Sequence, residues 1–323
     1  MFTFTLIEVK MENDTIFYKI IDEICKEKNI NQKMLSYDWI RQLKKDDKIR
    51  NLIWYQFDLN TSNSVKIAGD KYATFELLSK NDIPIIEHKM IFNPETREKY
   101  YNKIQIEDAL SLLEKYGRVI IKANQSAKGK HVVLCYTEKE VLDTINKMIN
   151  DENKDTLSAC PYVDIDYEYR AVYLLGEVLY IYKKQKPFII GDGINTVKKL
   201  IEEKFSDVSN FSFNKDINFD EVLEYGEKLV VSWKHNLCNG AEPIVIDERD
   251  NYYNKVKEIA EKSAKTININ FATIDIALTS DKKLEVMEIN ASVCMDRFAV
   301  LVPNGYEIVK KIYSKAIDSM FNY

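Results

Sequence analysis

Two largely apolar segments of the 323-residue chain carry three oxygen-bearing side chains that are candidate metal ligands. Asp275 lies in FATIDIAL (271–278), and Glu288 and Asn290 lie in LEVMEIN (284–290). Residues two apart in a strand share a face, so a hairpin of these segments would bring the three together. Oxygen ligands of this kind suit Mg²⁺, with Mn²⁺ as a second possibility. The competing interpretation is an edge strand whose carboxylates point to solvent.

A second candidate is Lys122, which ends the strand-like segment GRVIIKA (117–123) before a small and polar stretch at 123–131. Loops of this composition can turn backbone N–H groups toward phosphate oxygens, while the lysine supplies a point charge. The stretch is not a Walker A loop, because GxxxxGK[ST] is absent. Taken alone, it is more typical of a solvated hairpin turn.

A third group of charges lies on two alternating segments. Glu168 and Arg170 share one face of a predicted strand, and Lys183–Lys184 lies on the return strand. Such residues can hold a substrate or a phosphate, or they can form a cross-strand ion pair. The polar segment KHNLCNGA (234–241), taken by itself, indicates a surface loop.

A nucleophilic enzyme is disfavoured by what the sequence lacks. There is no GxSxG motif, and Cys160 lies in an apolar segment that favours a buried, inert thiol. The three histidines are too few for a His-rich metal site, and no GxGxxG dinucleotide fingerprint occurs. The chemistry is therefore expected to depend on lysines, carboxylates and bound groups.

Several elements are needed to position these residues. Hydrophobic periodicity and turn residues predict alternating helices and strands, with antiparallel hairpins in the C-terminal half. This indicates an α+β architecture with more than one sheet. The polar stretch at 58–64 is the best boundary candidate, and the expected domains are 1–65, 66–158 and 159–323. The predicted helices are 15–29, 70–81, 105–116, 137–150, 194–204, 251–267 and 304–321; the predicted strands are 1–9, 51–57, 117–123, 132–136, a 169–184 hairpin turning at Gly176, 271–278 and 284–290.

Composition limits the function classes further. The chain has 46 basic and 51 acidic residues, a net charge of −5, so sequence-independent nucleic-acid binding is not expected. No stretch approaches the roughly 18 apolar residues of a membrane span. Five widely spaced cysteines without a CxxC pair argue against a disulfide framework. A cytoplasmic protein is expected.

The order of these pieces resembles the ATP-grasp carboxylate–amine ligases, in particular the branch of cyanophycin synthetase, bifunctional glutathione synthetase and ribosomal-protein glutamate ligases. The resemblance covers roughly residues 65–310, and six motifs occur in the family's order. The motifs are GDKYATFELLSKNDIPI (69–85), RVIIKANQSAKGKHV (118–132), YVDIDYEYRAVYLLGEVL (162–179), FIIGDGINTVKKLIE (188–202), KHNLCNGA (234–241) and ATIDIAL with LEVMEINASVCM (272–295).

The resemblance implies a short N-terminal α/β domain followed by two α+β subdomains that clamp ATP between antiparallel sheets. It implies a role for each matched residue. Lys71 and Lys122 would contact ATP, and Glu168 would also be on the nucleotide side. Residues of the lid over the triphosphate would be Ser126, Ala127, Lys128 and Gly129; residues of the adenine-binding hinge would be Cys160, Tyr162 and Val163; Mg²⁺ ligands would be Asp275, Glu288 and Asn290; and residues of the acyl-phosphate and substrate side would be Arg170, Lys184, Lys234 and Asn236.

The sequence departs from the family pattern at several of these positions. Lys184 and Lys234 stand where arginine is usual, which keeps the charge but loses the bidentate fork. The hinge has Cys160–Pro161 where two glutamates are common, and Pro161 has no N–H to offer a base. His131 stands where a loop glycine is usual.

Three functional hypotheses follow. The first is an ATP- and Mg²⁺-dependent ligase that joins a small-molecule carboxylate to an amine, with an amino acid or small peptide as one substrate. The second is an ATP-grasp ligase that modifies a ribosomally made precursor peptide. The third is a non-catalytic nucleotide-binding scaffold. A homodimer is possible in each case, and neither a nucleic acid nor a membrane is an expected partner.

Overall fold

The computed structural model describes residues 15–93, 106–125, 132–205, 208 and 211–322. The helices are α1 (Ile16–Glu27), α2 (Ser62–Gly69), α3 (Lys71–Ser79), α4 (Ile106–Tyr116), α5 (Glu138–Asn146), α6 (Val197–Lys204), α7 (Tyr253–Thr266), α8 (Asp296–Leu301) and α9 (Gly305–Asn322). The strands are β1 (Asn31–Leu35), β2 (Ile40–Lys45), β3 (Lys48–Ile53), β4 (Gln56–Phe57), β5 (Lys89–Phe92), β6 (Val119–Ala123), β7 (Val132–Cys135), β8 (Thr156–Pro161), β9 (Ile165–Leu174), β10 (Glu177–Gln185), β11 (Phe188–Ile190), β12 (Lys228–Val230), β13 (Glu242–Val245), β14 (Phe271–Thr279) and β15 (Leu284–Asn290).

The chain divides into two compact units, residues up to Leu59 together with Ser292–Tyr323, and Asn60–Ala291. The expected boundaries at 65/66 and 158/159 therefore lie inside the second unit, and the three-domain division remains a prediction. The polar stretch at 58–64 does contain the boundary between the units, at 59/60. A helix that the sequence did not predict, α2, also begins in this stretch. The Thr61 side chain caps it by accepting from the Ser64 N–H.

The first unit has an antiparallel sheet in the order β1–β2–β3–β4, together with α1, α8 and α9. The predicted amphipathic helix at 15–29 is confirmed as α1, whose buried residues Phe17, Ile20, Ile21 and Ile24 recur at helical spacing. The Phe17 ring packs edge-on against Tyr313 of α9, with ring centroids 5.4 Å apart. The core of this unit is thus built from both ends of the chain.

One sequence prediction is wrong in this unit, and one hairpin was missed. The segment 51–57 is not one strand, because Trp54 adopts a left-handed φ of 52° and a turn separates β3 from β4. The β1–β2 hairpin was not predicted, because its strands are rich in polar and charged residues and lack a clean alternation. The strand predicted at 1–9 lies outside the described residues.

The second unit contains two larger antiparallel sheets. The central sheet has the order β5–β8–β6–β7, and the C-terminal sheet has the order β13–β10–β9–β14–β15. The predicted hairpins are confirmed as β9–β10, with Gly176 at its turn, and β14–β15. The architecture is therefore α+β with more than one sheet, as expected.

Helices cover one face of each sheet of this second unit. Side chains of α4 and α5 pack on Val119, Ile121, Leu157 and Ala159 of the central sheet. Side chains of α7 pack on the odd-numbered residues Tyr169, Ala171 and Tyr173 of β9. The even-numbered residues of β9 consequently belong to the opposite face. None of the described helices is both long and apolar enough to cross a membrane.

A glycine substitution tests the packing of the small β11–β12 sheet. A Cβ at Gly191 would lie 2.2 Å from the Glu224 carbonyl oxygen and 2.6 Å from Leu223 Cβ. Gly191→Ala should therefore lower the free energy of unfolding by about 1–3 kcal/mol, as overpacking does. Gly69→Ala is the matched control, since no atom lies within 4 Å of its Cβ position. Urea denaturation of both variants checks this; equal stability of the two would contradict the packing described.

Candidate active site

A row of polar side chains crosses the C-terminal sheet, and strand register creates it. In the β10–β9 pair, Tyr182 stands opposite Arg170 and Lys184 stands opposite Glu168. Arg170 stands opposite Asp275 of β14, and Asp275 in turn stands opposite Glu288 of β15. Cross-strand partners share a face, so these residues lie together on the face that α7 does not cover.

Four of these side chains form one buried charge network. The Arg170 guanidinium donates to both carboxylate oxygens of Asp275, with Nε–Oδ1 at 2.7 Å and Nη2–Oδ2 at 2.5 Å. Lys184 Nζ lies 3.4 Å from Asp275 Oδ2 and forms an ion pair with Glu168. Asp275 is 1% exposed, Lys184 4% and Glu168 7%. The sequence-predicted residues Glu168, Arg170, Lys184 and Asp275 are therefore brought together.

The two carboxyl groups of this network titrate differently. Burial by itself would raise the pKa of Asp275, but the charges of Arg170 and Lys184 outweigh it and lower that pKa to about 2. Burial raises the pKa of Glu168 to about 7; the Asp275 charge adds to this effect, and Lys184 offsets it only in part. Asp275 is thus held ionised, while Glu168 is the group that takes up a proton near neutral pH.

The donor set around Glu288 fits a hard cation. Asn290 Nδ2 donates to Glu288 Oε1 at 3.1 Å, which leaves the amide oxygen of Asn290 as a possible ligand. A carboxylate has about four lone-pair sites, and Arg170 and Lys184 use three of those on Asp275. Within the described part of the chain, no three His, Cys, Asp or Glu side chains form a metal cluster. A Mg²⁺ site here would therefore need the Asn290 amide and oxygens of a substrate, as Mg²⁺ sites commonly do.

Lys71 and Lys122 bring positive charge close to the carboxylate of Glu288. Lys71, the first residue of α3, donates from Nζ to the backbone carbonyl of Asn124 at 3.1 Å. Burial lowers the pKa of Lys71; the charge of Glu288 opposes this effect and the charge of Lys122 adds to it. Lys71, Lys122 and Glu288 are therefore electrostatic neighbours. The predicted lid residues Ser126, Ala127, Lys128 and Gly129 lie outside the described residues.

An apolar cluster lies between the two sheets, beside these charges. Cys160 and Ile120 face each other across β8 and β6 of the central sheet, and both belong to this cluster. The C-terminal sheet contributes Ala277 and Met287. Other members of the cluster are Ile86, Val163 and Ile165. Apolar side chains next to paired lysines are suited to contact a nucleobase, and we call this cluster the apolar slot.

One backbone group of the predicted adenine-binding hinge already has a partner within the protein. The Tyr162 N–H donates to the Arg118 carbonyl at 3.1 Å, so this N–H is not available to a base. The Arg118 guanidinium lies over the Tyr162 ring at 4.3 Å, and Trp233 packs against that ring at 5.8 Å. Cys160 and Val163 lie in the apolar slot. A nucleotide contact through atoms of Tyr162 other than this N–H remains a prediction.

The segment that follows Trp233 lies close to the strand after the predicted lid. Lys234 Nζ donates to the Val132 carbonyl of β7 at 3.2 Å, and burial lowers the pKa of Lys234. The Asn236 side chain accepts from the Cys238 N–H at 2.9 Å and so caps the 3₁₀ turn Leu237–Asn239. The catalytic roles predicted for Lys234 and Asn236 remain predictions.

Sequence reasoning missed several polar residues that the structure buries near the lysines. His88, Asn124 and Ser158 are each nearly inaccessible, and each has a polar atom that finds no hydrogen-bond partner among the described residues: His88 Nε2, Asn124 Nδ2 and Ser158 Oγ. Ser158 stands opposite Lys122 across the central sheet. A signal was present in the sequence, since Ser158 interrupts an otherwise apolar run, TLSACP.

Comparison with known proteins adds to this geometry. No protein-family model matches the chain. The chain is 22% identical over 346 residues to the bifunctional protein of glutathione biosynthesis from Clostridium perfringens, covering 88% of this chain and 44% of that protein. The bifunctional glutathione synthetase of Pasteurella multocida has a TM-score of 0.55 at 14% identity, over 93% of this chain and 44% of that one. D-alanyl-alanine synthetase A of Vibrio cholerae has a TM-score of 0.56 at 12% identity, over 95% and 93%.

The fold is that of the ATP-grasp ligases. The resemblance stated from six sequence motifs is thereby confirmed at the level of fold, and so is the α+β class. The chain spans less than half the length of both bifunctional glutathione proteins, and almost the whole length of the Vibrio enzyme.

The Asp275 ion pair gives a stability prediction. Asp275→Asn should cost about 3 kcal/mol or more of unfolding free energy, because it leaves Arg170 and Lys184 buried without their shared counter-charge. The matched control is Asp247→Asn, which breaks the exposed Arg249–Asp247 pair and should leave stability unchanged. Urea denaturation of both variants measures this. Similar midpoints for the two variants would refute a buried network.

The Glu168 carboxyl gives a pH prediction. The pKa of Glu168 is raised from 4.5 to about 7, so the folded protein holds this proton more tightly than the unfolded chain does. The stability that comes from this difference is fully present below pH 4.5 and is lost as the pH rises through 7. The excess stability of the wild type over Glu168→Gln should therefore fall between about pH 5 and pH 7, by at most about 1.4 kcal/mol per unit. Denaturation curves at several pH values test it; a constant or rising difference would contradict it.

Proposed function

We propose that this protein is an ATP-dependent, ADP-forming ligase that joins a carboxylate to an amine. The observation that carries the proposal is the meeting of three features in one place: the apolar slot, the Lys71–Lys122 pair and the acidic row that runs from Glu288 to Asp275. In that order they match the base, the phosphates and the metal-bearing end of a nucleoside triphosphate.

Each group has a physical task in this proposal. The apolar slot would hold the base, and Lys71 and Lys122 would offset phosphate charge. Asp275, Glu288 and Asn290 would hold Mg²⁺, which supplies positive charge at the transferring phosphoryl group. Arg170 keeps Asp275 ionised and fixes its plane through two hydrogen bonds. Lys184, shared by Glu168 and Asp275, would stabilise the substrate side.

The proposed reaction has two steps. A carboxylate oxygen of the substrate attacks the γ-phosphorus of ATP, the bond to the β-phosphate oxygen breaks, and ADP leaves with that electron pair. The amine nitrogen then attacks the acyl phosphate carbon; the amide bond forms, phosphate leaves and the nitrogen loses its extra proton. Water must be excluded while the acyl phosphate exists, because hydrolysis would waste it.

The structural neighbours support the substrate class. Their names refer to glutathione biosynthesis and to the synthesis of D-alanyl-alanine. Glutathione and D-alanyl-alanine are both built from amino acids. We therefore propose an amino acid or small peptide as one substrate here. A precursor-peptide substrate remains the alternative predicted from the sequence. A scaffold without activity would need no buried charge network, since apolar residues of similar volume are often at least as stabilising.

Product analysis tests the proposal. The protein is incubated with Mg·ATP and pools of carboxylates and amines, and ADP and phosphate are measured. Turnover should require both a carboxylate and an amine, and ¹⁸O placed in the carboxylate should appear in the released phosphate. Lys122→Met and Glu288→Gln should each lower the rate at least about 100-fold, as loss of a transition-state charge contact does.

Exposed residues provide the matched controls. Lys139→Met and Glu258→Gln make the same chemical changes at surface ion pairs, and both should keep wild-type rates. Release of AMP and pyrophosphate would exclude the acyl-phosphate route. ATP binding without turnover in any pool would support the scaffold hypothesis instead.

A further inference from the structure

We infer that His88 is a specificity-determining residue that recognises the 6-amino group of adenine, an inference that rests on the proposed function. His88 is 1% exposed and has no role in the mechanism above. Its Nδ1 lies 2.8 Å from the Ile86 carbonyl oxygen. A carbonyl can only accept, so Nδ1 bears the proton, and Nε2 of the neutral ring is left with a lone pair.

Strand register places His88 at the apolar slot. Lys89 pairs with Ala159, so continuing this register by one residue sets His88 level with Cys160. Cys160 in turn stands opposite Ile120, and both belong to the apolar slot. Ile86, whose carbonyl oxygen accepts from His88 Nδ1, is itself a member of the apolar slot, so the ring whose Nε2 finds no partner among the described residues adjoins that slot.

The charged neighbours keep His88 an acceptor. Burial lowers the pKa of His88 well below its usual value, and the positive charges of Lys122 and Lys71 lower it further. The ring of Phe75 on α3 packs against it at 6.2 Å. The imidazole is consequently neutral at physiological pH. A buried acceptor without a partner is costly, and an N–H donor from a bound molecule would relieve that cost.

The bound group that fits is a purine with an amino group at position 6. The slot is apolar, the neighbouring His88 offers an acceptor, and Lys122 and Lys71, whose charges act on His88, suit phosphates. Adenine presents an N–H donor at position 6, whereas guanine and hypoxanthine present a carbonyl oxygen that would face the His88 lone pair. Inosine triphosphate is thus the sharpest probe, because it differs from ATP only at this edge of the base.

Calorimetric titration of ATP and inosine triphosphate, without carboxylate or amine, tests the inference. The wild type should prefer ATP, and His88→Phe should reduce the ATP-to-inosine ratio of affinities roughly 3- to 10-fold, the worth of one hydrogen bond. His88→Gln, which keeps an acceptor oxygen, should retain more of the preference. Phe75→Leu is the matched control. It removes the aromatic ring that packs on His88 but keeps the Nε2 acceptor, so it should change both affinities equally.

A second measurement needs no variant. With ¹⁵N-labelled histidine, ATP should move the His88 Nε2 resonance upfield, as accepting a hydrogen bond does, while inosine triphosphate should not. Two results would overturn the role of His88 and leave the ligase proposal standing. One is an unchanged ATP-to-inosine ratio of affinities in His88→Phe, and the other is an Nε2 resonance that does not shift when ATP is added. Wild-type protein that binds neither nucleotide overturns the ligase proposal, and this inference with it.

Discussion

The bidentate pair between Arg170 and Asp275 is the interaction on which the site depends. Asp275 lies on a strand whose every residue is buried, where an isolated carboxylate would take up a proton and lose its charge. Arg170 and Lys184 prevent this, and Glu168 balances their second positive charge. When Glu168 is ionised, the four side chains sum to zero formal charge, so the sheet can bury them and still present an ionised carboxylate at the position expected for a metal ligand.

The two hairpins of the C-terminal sheet were predicted from sequence, because their signals are local, whereas strands β5, β8, β12 and β13 of the same unit were not. Alternation in YRAVYLL and GEVLYIYKK and the apolar runs around Asp275 and Glu288 defined both hairpins, and hairpins fix which residues face each other. Those registers place Lys184 opposite Glu168 and Asp275 opposite Glu288, whereas the Arg170–Asp275 pairing depends on the long-range β9–β14 ladder, which the sequence did not predict. Motif order then indicated the ATP-grasp fold, which the structural comparisons confirm.

The sequence could not supply what depends on long-range pairing. The polar atoms of His88 and Asn124 become notable only when tertiary packing buries them and leaves them without partners. The sequence placed Tyr162 in the predicted adenine-binding hinge, but only the structure shows that its N–H donates to the Arg118 carbonyl. In the first unit, the β1–β2 hairpin lacks a clear alternation, and its pairing is decided by turns with left-handed residues such as Ser36, Tyr37 and Asp38.

The composition of the first unit has a consequence for how the chain is made. This unit needs Ser292–Tyr323 as well as the residues up to Leu59, whereas the second unit is one uninterrupted segment, Asn60–Ala291. On the ribosome, the segment Asn60–Ala291 is complete before α9 is synthesised, so Phe17 and its neighbours in α1 lack their α9 partners until then. The segment proposed to bind ATP is in effect an insertion, and its host unit cannot be assembled before Ser292–Tyr323 has been made.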